Sequence, residues 1–239
     1  MLVRNLIYWG RYSRHDNIFY LFLLNFWKAN NKKKVHTEIL SSLILLNKLF
    51  VIYSLYYDRA VSDIHTFVFN LSKKIFEKNT TIEVIKEEIQ NKIQDFKNSE
   101  DFYYFDFVLK GPIYYSARKR NLMCLLSAYF EERKDTSLEK KLFETAFDIE
   151  HIHATADETK EVSEDLQNSI GNLMLLERYI NRSIGKKKFS EKKKQYCDSI
   201  YKFAKDLANS SQYKWSEKDI IKRRDSVVTK VIKYLFKSV

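Results

Sequence analysis

The chain has 239 residues with only four glycines and one proline, against ordinary usage of about 7% and 5%. That scarcity excludes hairpin-rich sheets, Gly-rich phosphate loops and Pro-rich linkers, and leaves a mainly helical protein with hydrophobic residues at 45% and charged residues at 31%. Lys and Arg outnumber Asp and Glu by 42 to 31, a net charge of +11, which draws the chain towards polyanions but carries no chemistry of its own.

At the N-terminus Arg4, Arg11 and Arg14 interrupt every apolar run, so no signal peptide is expected. Residues 17–29 (NIFYLFLLNFWKA) are apolar almost all round, as in a central helix. A second helix is predicted over 35–57 and a third over 62–78. The segment Ile39–Tyr57 is the best membrane candidate, yet Asn47 and Lys48 stand at its middle. A central Lys costs roughly 2.5–3.5 kcal/mol on insertion, so a buried core helix is the better reading. Thr80 and Glu83 have capping-box spacing before a helix whose Ile82, Ile85, Ile89 and Ile93 form one stripe. Gly111-Pro112 breaks the chain, and a helix resumes over 114–132. The aromatics Tyr103, Tyr104, Phe105, Phe107, Tyr114 and Tyr115 read as core at helical spacing rather than as a base-stacking surface.

The polar run RKDTSLEKK at 133–141 marks a boundary between a helical domain, 1–135, and a second domain, 136–239. Cys124 and Cys197 show no CxxC spacing, so zinc and disulfide scaffolds are disfavoured. Both read as buried small hydrophobes in a reducing cytoplasm. Beyond the boundary come LFETAFDIEHIHA, an acidic stretch at 157–165, SIGNLMLLERYIN and a basic helix over about 187–208. A last helix starts at Ser216, with Asp219 as its capping partner.

The chemistry gathers in three short pieces: Asp148-Ile149-Glu150-His151-Ile152-His153, Gly171-Asn172-Leu173, and Asn181-Arg182. Alternation in the first predicts a strand on which Glu150 and His151 point to opposite faces unless it ends or bends there. Gly171-Asn172 suits a tight turn into a second strand, LMLL, and a short helix around Asn181 would follow. Asn172 is also a residue type common in turns for its own sake. His153 shares a face with His151, where it either touches metal or phosphate or is merely an exposed polar residue.

This order of strand, loop, strand and helix resembles the HNH (ββα-metal) nucleases, in which an acidic residue and His end the first strand. Asn181 follows Asn172 by nine residues, the spacing those nucleases use. The longer string EHI…GNLMLLE…IN…KKKFSEKKKQY…W…I..R is similar to the C-terminal domain of GmrSD-type, modification-dependent restriction endonucleases. Phe189, Lys192, Tyr196, Trp215, Ile220 and Arg223 fall into that pattern, which covers roughly 140–230. The helical region around 17–77 also resembles, more weakly, the segment that precedes this nuclease in the family.

The resemblance implies a phosphodiesterase using one divalent metal, Mg²⁺ or Mn²⁺. His151 would be the general base, because its reference pKa lies near working pH. Glu150 and Asn181, with His153, would be metal ligands, and Asn172 would belong to the catalytic group by holding the loop between the strands. The run Arg178, Arg182, Lys186, Lys187, Lys188, Lys192, Lys193 and Lys194 sets eight cations against one acid, Glu191, and would track phosphates without reading sequence.

One departure is Ala154, where the family commonly has Pro. The acidic stretch at 157–165 would repel DNA and is expected to face solvent or a partner. GmrSD-type enzymes pair this nuclease with a ParB-like nucleotide-hydrolysing domain bearing a D-G-Q-Q-R-like signature, and no such signature occurs in the sequence. The expected function is therefore a DNA endonuclease subunit or fragment of a modification-dependent anti-phage system. A ParB-like subunit or a missing N-terminal domain would be its partner and modified phage DNA its target, with no membrane role. Two alternatives share the same residues: an RNA-cleaving, toxin-like nuclease, and a non-catalytic nucleic-acid-binding subunit.

Overall fold

A computed structural model describes residues 32–57, 61–78, 80–114, 116–132, 145–154 and 161–237. The helix expected at 17–29, Tyr115, the domain boundary at 133–141 and the acidic residues Asp157 and Glu158 lie outside the described residues. The described chain is mainly helical, with one two-stranded antiparallel sheet. It groups into two compact units, Met1–Phe105 with Tyr234–Val239, and Asp106–Lys233.

In the first unit, α1 (Lys32–Tyr56) packs on α2 (Val61–Lys78) and on α3 (Ile82–Lys97). Ile85, Ile89, Ile93 and Phe96 make the inward stripe of α3, at the 3–4-residue spacing of one helix face. The cap of α3 sits one residue later than spacing predicts. Thr81 accepts from the Val84 N–H, while the Thr80 hydroxyl donates to the Lys74 carbonyl at 3.0 Å. Asn47 and Lys48 are buried. Burial lowers the Lys48 ammonium pKa, and its Nζ donates to the Lys237 carbonyl at 2.7 Å. A polar group bonded this way belongs to a protein interior, and no helix among the described residues is long and apolar enough to cross a membrane.

The aromatic segment divides. Phe105, on α4 (Glu100–Lys110), is fully buried against Phe96 at 5.4 Å between ring centroids. Tyr103 and Phe107 are instead 81% and 76% exposed, and Tyr104 is exposed too. The helix buries one face only, so these three are surface residues rather than core.

In the second unit, α5 (Ala117–Glu131) is capped by Ser116 and buries Leu122 through Ala128. Strands β1 (Phe147–His151) and β2 (Leu173–Glu177) pair antiparallel, with Glu150 opposite Met174 and His151 opposite Leu173. β2 is buried along its whole length, because α5 and α7 (Arg178–Ile184) both pack on it. A short helix, α6 (Glu164–Gln167), capped by Ser163, lies between the strands. The connection then ends, as expected, in a tight turn into β2, closed by the Asn172 N–H on the Ser169 carbonyl at 3.0 Å. Gly171 in that turn also serves a close approach, since a Cβ there would run into the Ile220 carbonyl. Gly185 ends α7 with φ +52°, a conformation that favours glycine.

The single basic helix expected over 187–208 is three pieces: α8 (Phe189–Gln195), a 3₁₀ turn (Tyr196–Asp198) and α9 (Lys202–Asn209). Carboxylates from elsewhere in the unit capture the groups a continuous helix would use. Glu177 accepts from the Ser199 hydroxyl at 2.8 Å and from the Ile200 N–H, and Glu132 accepts from the Lys202 N–H at 2.6 Å. The last helix, α10 (Glu217–Phe236), begins as expected, with the Ser216 N–H donating to Asp219 Oδ2 at 2.9 Å. Cys124 is buried, with its thiol pKa pushed up to about 12 by burial, whereas Cys197 is exposed rather than buried.

Candidate functional site

β1 ends at His151, and Ile152 and His153 bend away from it, so neighbouring side chains reach different surroundings. Glu150 is 3% exposed. Its Oε1 accepts from Lys192 Nζ at 2.6 Å and from the Tyr196 hydroxyl at 2.9 Å. Burial pushes the Glu150 carboxyl above its usual range, and the Lys192 ammonium opposes that shift. The same burial, with the carboxylate beside it, pushes the Tyr196 hydroxyl well up. Lys192 Nζ also donates to the His151 carbonyl at 2.6 Å. One buried ammonium therefore ties the end of β1 to α8.

His151 meets a different partner. Its side chain interacts with that of Asn168, the residue that ends α6, while Nε2 is buried with no hydrogen-bond partner among the described residues. Burial lowers its pKa from the ordinary 6.5, and the interaction with Asn168 partly offsets this. An unsatisfied buried nitrogen costs about 1–3 kcal/mol.

Asn172 is fully buried and works as a clamp. Its Oδ1 accepts from the His153 N–H at 2.7 Å, and its Nδ2 donates to the His153 carbonyl at 3.1 Å and the Gln167 carbonyl at 2.9 Å. Its own carbonyl accepts from the Ile152 N–H at 2.9 Å. The two residues after His151 are thus fixed by one carboxamide and one peptide.

That clamp is itself held by Arg223 of α10. Nη1 donates to the carbonyls of Ile170 at 2.6 Å, Gly171 at 3.2 Å and Leu173 at 2.8 Å. Nε donates to Glu131 at 2.8 Å, and the guanidinium lies 4.2 Å from the Phe203 ring centroid. Phe189 and Trp215 pack together in the interior at 6.1 Å. Of the residues that carry the resemblance, Tyr196 and Lys192 hold the Glu150 carboxylate, and Arg223 and Ile220 hold the Asn172 loop.

Asn181 lies midway along α7 and is half-buried; His153 is buried. Among the described residues no group of three or more His, Cys, Asp or Glu side chains is arranged to hold a metal ion. A hard cation such as Mg²⁺ needs only one or two carboxylates and keeps several waters. The side chains of Glu150 and Asn181 carry oxygens of that kind, and the Glu150 Oε1 is held by the Lys192 ammonium and the Tyr196 hydroxyl.

The basic run does not stay together. Arg182, Lys186, Lys187, Lys188 and Lys194 are exposed. Arg178 shares its charge with Asp148, Nε to Oδ1 3.1 Å. Lys192, 2% exposed, faces the interior because Glu150 needs a counter-charge there, so it stands apart from any phosphate track. Lys193 Nζ donates to the Ser210 carbonyl and to the Gln212 carbonyl at 3.1 Å, closing the chain after α9. The acidic stretch is also engaged where it is described: Glu161 pairs with Lys214 at 3.3 Å, and Asp165 accepts from the Tyr114 hydroxyl at 2.6 Å. Asn168 and Gln167 have no signal in the motif spacing, since each reaches the site from a helix folded between the strands.

A histidine, a buried carboxylate and a clamped loop thus gather at the end of a small two-stranded sheet. The model of the family described as GmrSD restriction endonucleases, C-terminal domain, matches residues 90–230. That is more than half of the chain, and the chain belongs to this family. It carries a restriction-endonuclease-type nuclease domain. No curated protein matches the chain.

Proposed function

We propose that the chain is a DNA endonuclease of the HNH class working with one divalent cation, Mg²⁺ or Mn²⁺. The observation that carries the reading is the state of His151, whose imidazole is buried at the end of β1 with an Nε2 that has no partner among the described residues. Burial favours the neutral ring, the form a general base requires. In this reading His151 takes the proton of an attacking water. The Glu150 and Asn181 oxygens, with His153, would hold the cation, which when bound supplies charge neutralisation at the scissile phosphate and leaving oxygen. Asn172 acts by fixing the loop after β1.

Two further features support the class. The chain order β1, β2, α7 gives an antiparallel pair followed at once by a helix carrying Asn181. Arg182, Lys186, Lys187, Lys188 and Lys194, with Arg178 more weakly, offer exposed cations from α7 to α8 for the DNA backbone. In this reading the chain acts in cytoplasmic defence against modified phage DNA, with a ParB-like nucleotide-hydrolysing subunit or domain as its partner.

The test is cleavage of plasmid and modified phage DNA by the purified chain with Mg²⁺ or Mn²⁺, alongside His151→Ala and a parallel RNA digest. The variant is expected to lose about 10²–10⁴-fold in rate, the range general-base catalysis supplies, with DNA binding unchanged. Full nicking by the variant overturns the reading, and cleavage of RNA alone redirects it.

A further inference from the structure

We propose that the recess between α9 and α10 binds a nucleoside monophosphate, and that its occupant bears on the Asn172 loop through Arg223. The site uses neither a cation nor the His151 imidazole, so it goes beyond the nuclease reading and does not depend on it.

The recess has a volume of about 430 Å³, inside the range of about 300–1,000 Å³ that small-molecule sites occupy. One wall is the face of α9 on which Phe203, Asp206 and Leu207 fall at three- and four-residue spacing. The other is the face of α10 that carries Lys222, Ser226 and Lys230. Two of the acids that line it are already engaged. Glu131 accepts from Arg223 at 2.8 Å, and Asp219 accepts from the Ser216 N–H and the Gln212 amide, both at 2.9 Å.

The groups left over select the ligand. Lys222 and Lys230 are exposed, and no ion pair or hydrogen bond engages either ammonium among the described residues. They stand about 12 Å apart along the helix, a gap that two flexible four-carbon stems close on one phosphate, with the Ser226 hydroxyl between them. No glycine is among the described residues that line the recess. The backbone cradle that a polyphosphate uses is therefore missing, and the lysine pair suits a single phosphate. Across the recess Asp206 is an exposed carboxylate without a partner, an acceptor for sugar hydroxyls. Phe203 and Phe130 are half-buried rings on which a flat base packs. Trp215, 5% exposed, also lines the recess, and its indole Nε1 is buried with no hydrogen-bond partner among the described residues. The wall is thus one donor short of an acceptor.

Arg223 joins the recess to the loop. Its guanidinium lies 4.2 Å from the Phe203 ring centroid and donates to the Ile170 carbonyl at 2.6 Å and the Leu173 carbonyl at 2.8 Å. A base that settles against Phe203 presses on the group that holds the turn into β2.

The test is ¹H–¹⁵N NMR of the full chain titrated with adenosine 5′-monophosphate, the Trp215 indole N–H being identified by its loss in Trp215→Phe. A saturable shift of that signal and of the Gly171 and Leu173 amides is expected. Lys222→Ala and Lys230→Ala should each weaken binding by about tenfold, the effect of one charge-assisted hydrogen bond, with an unchanged thermal midpoint. Lys194→Ala, outside the recess, should leave the affinity as it is. Adenosine and inorganic phosphate, each with half of the recognised groups, should bind more weakly than the monophosphate. Competition by a 5′-phosphorylated single-stranded oligonucleotide would assign the ligand to a strand end, and its failure to compete would assign it to the free nucleotide. No saturable shift, or wild-type affinity in both recess lysine variants, overturns the site. Saturation that leaves the Gly171 and Leu173 amides in place overturns the link to the loop. None of these readouts requires cleavage, so loss of the nuclease reading would leave them standing.

Discussion

The inward and outward faces of the basic segment teach what composition alone hides. Lys192 and Lys194 lie two residues apart on α8, carry the same charge and come from the same run of three lysines. One is sealed against Glu150 and the other is in solvent. The difference follows from what each faces: a buried carboxylate demands a nearby cation, and a surface lysine is satisfied by water. Charge in the interior is structural and irreplaceable by position, whereas charge outside is available to a partner.

The largest expected effect tests the inner half. Lys192→Met leaves a buried, uncompensated carboxylate and should destabilise the fold by about 3–5 kcal/mol, read as a lower urea midpoint. Adding Glu150→Gln should restore much of that loss, since the charge then vanishes with its partner. A loss below about 1 kcal/mol would break the contrast with Lys194. Next comes the outer half. Replacing Lys186, Lys187 and Lys188 together by Ala should leave the thermal midpoint in place while the slope of log affinity against log salt flattens by roughly 0.9 for each phosphate no longer neutralised. An unchanged slope would deny these lysines a place on the DNA backbone. Lys194→Ala alone should stay within about ±0.5 kcal/mol of wild-type stability. The smallest readout repeats the contrast with another residue type. In the native protein iodoacetamide should label Cys197 and spare Cys124, whose thiol is buried and pushed up to about 12. Equal labelling of both would mean that the interior around α5 opens.

Much of the fold is legible in the residues alone. Period-two alternation locates β1, the isoleucine stripe locates α3, and Ser216 with Asp219 marks the start of α10, because these signals are local. The grouping of residues around Glu150 is only half legible. The spacing of His151, Asn172 and Asn181 points to one centre, but nothing in the sequence separates a lysine that enters the core from its neighbours that do not. The break of the basic helix is hidden for a similar reason: it depends on Glu177 and Glu132, which arrive from distant positions. Asn168 is hidden because its partner lies across a loop, where no fixed spacing applies. Tyr103 and Phe107 show the converse limit, since helical periodicity says that one face is buried without saying which aromatics share it.

Arg223 carries a consequence in time rather than in space. The carbonyls of Ile170, Gly171 and Leu173 wait for a guanidinium made some fifty residues later in the chain, and the space left by Gly171 is filled by the backbone and side chain of Ile220. During synthesis the strands and Asn172 emerge before Arg223, so the loop that places them goes without its guanidinium clamp until α10 has followed them.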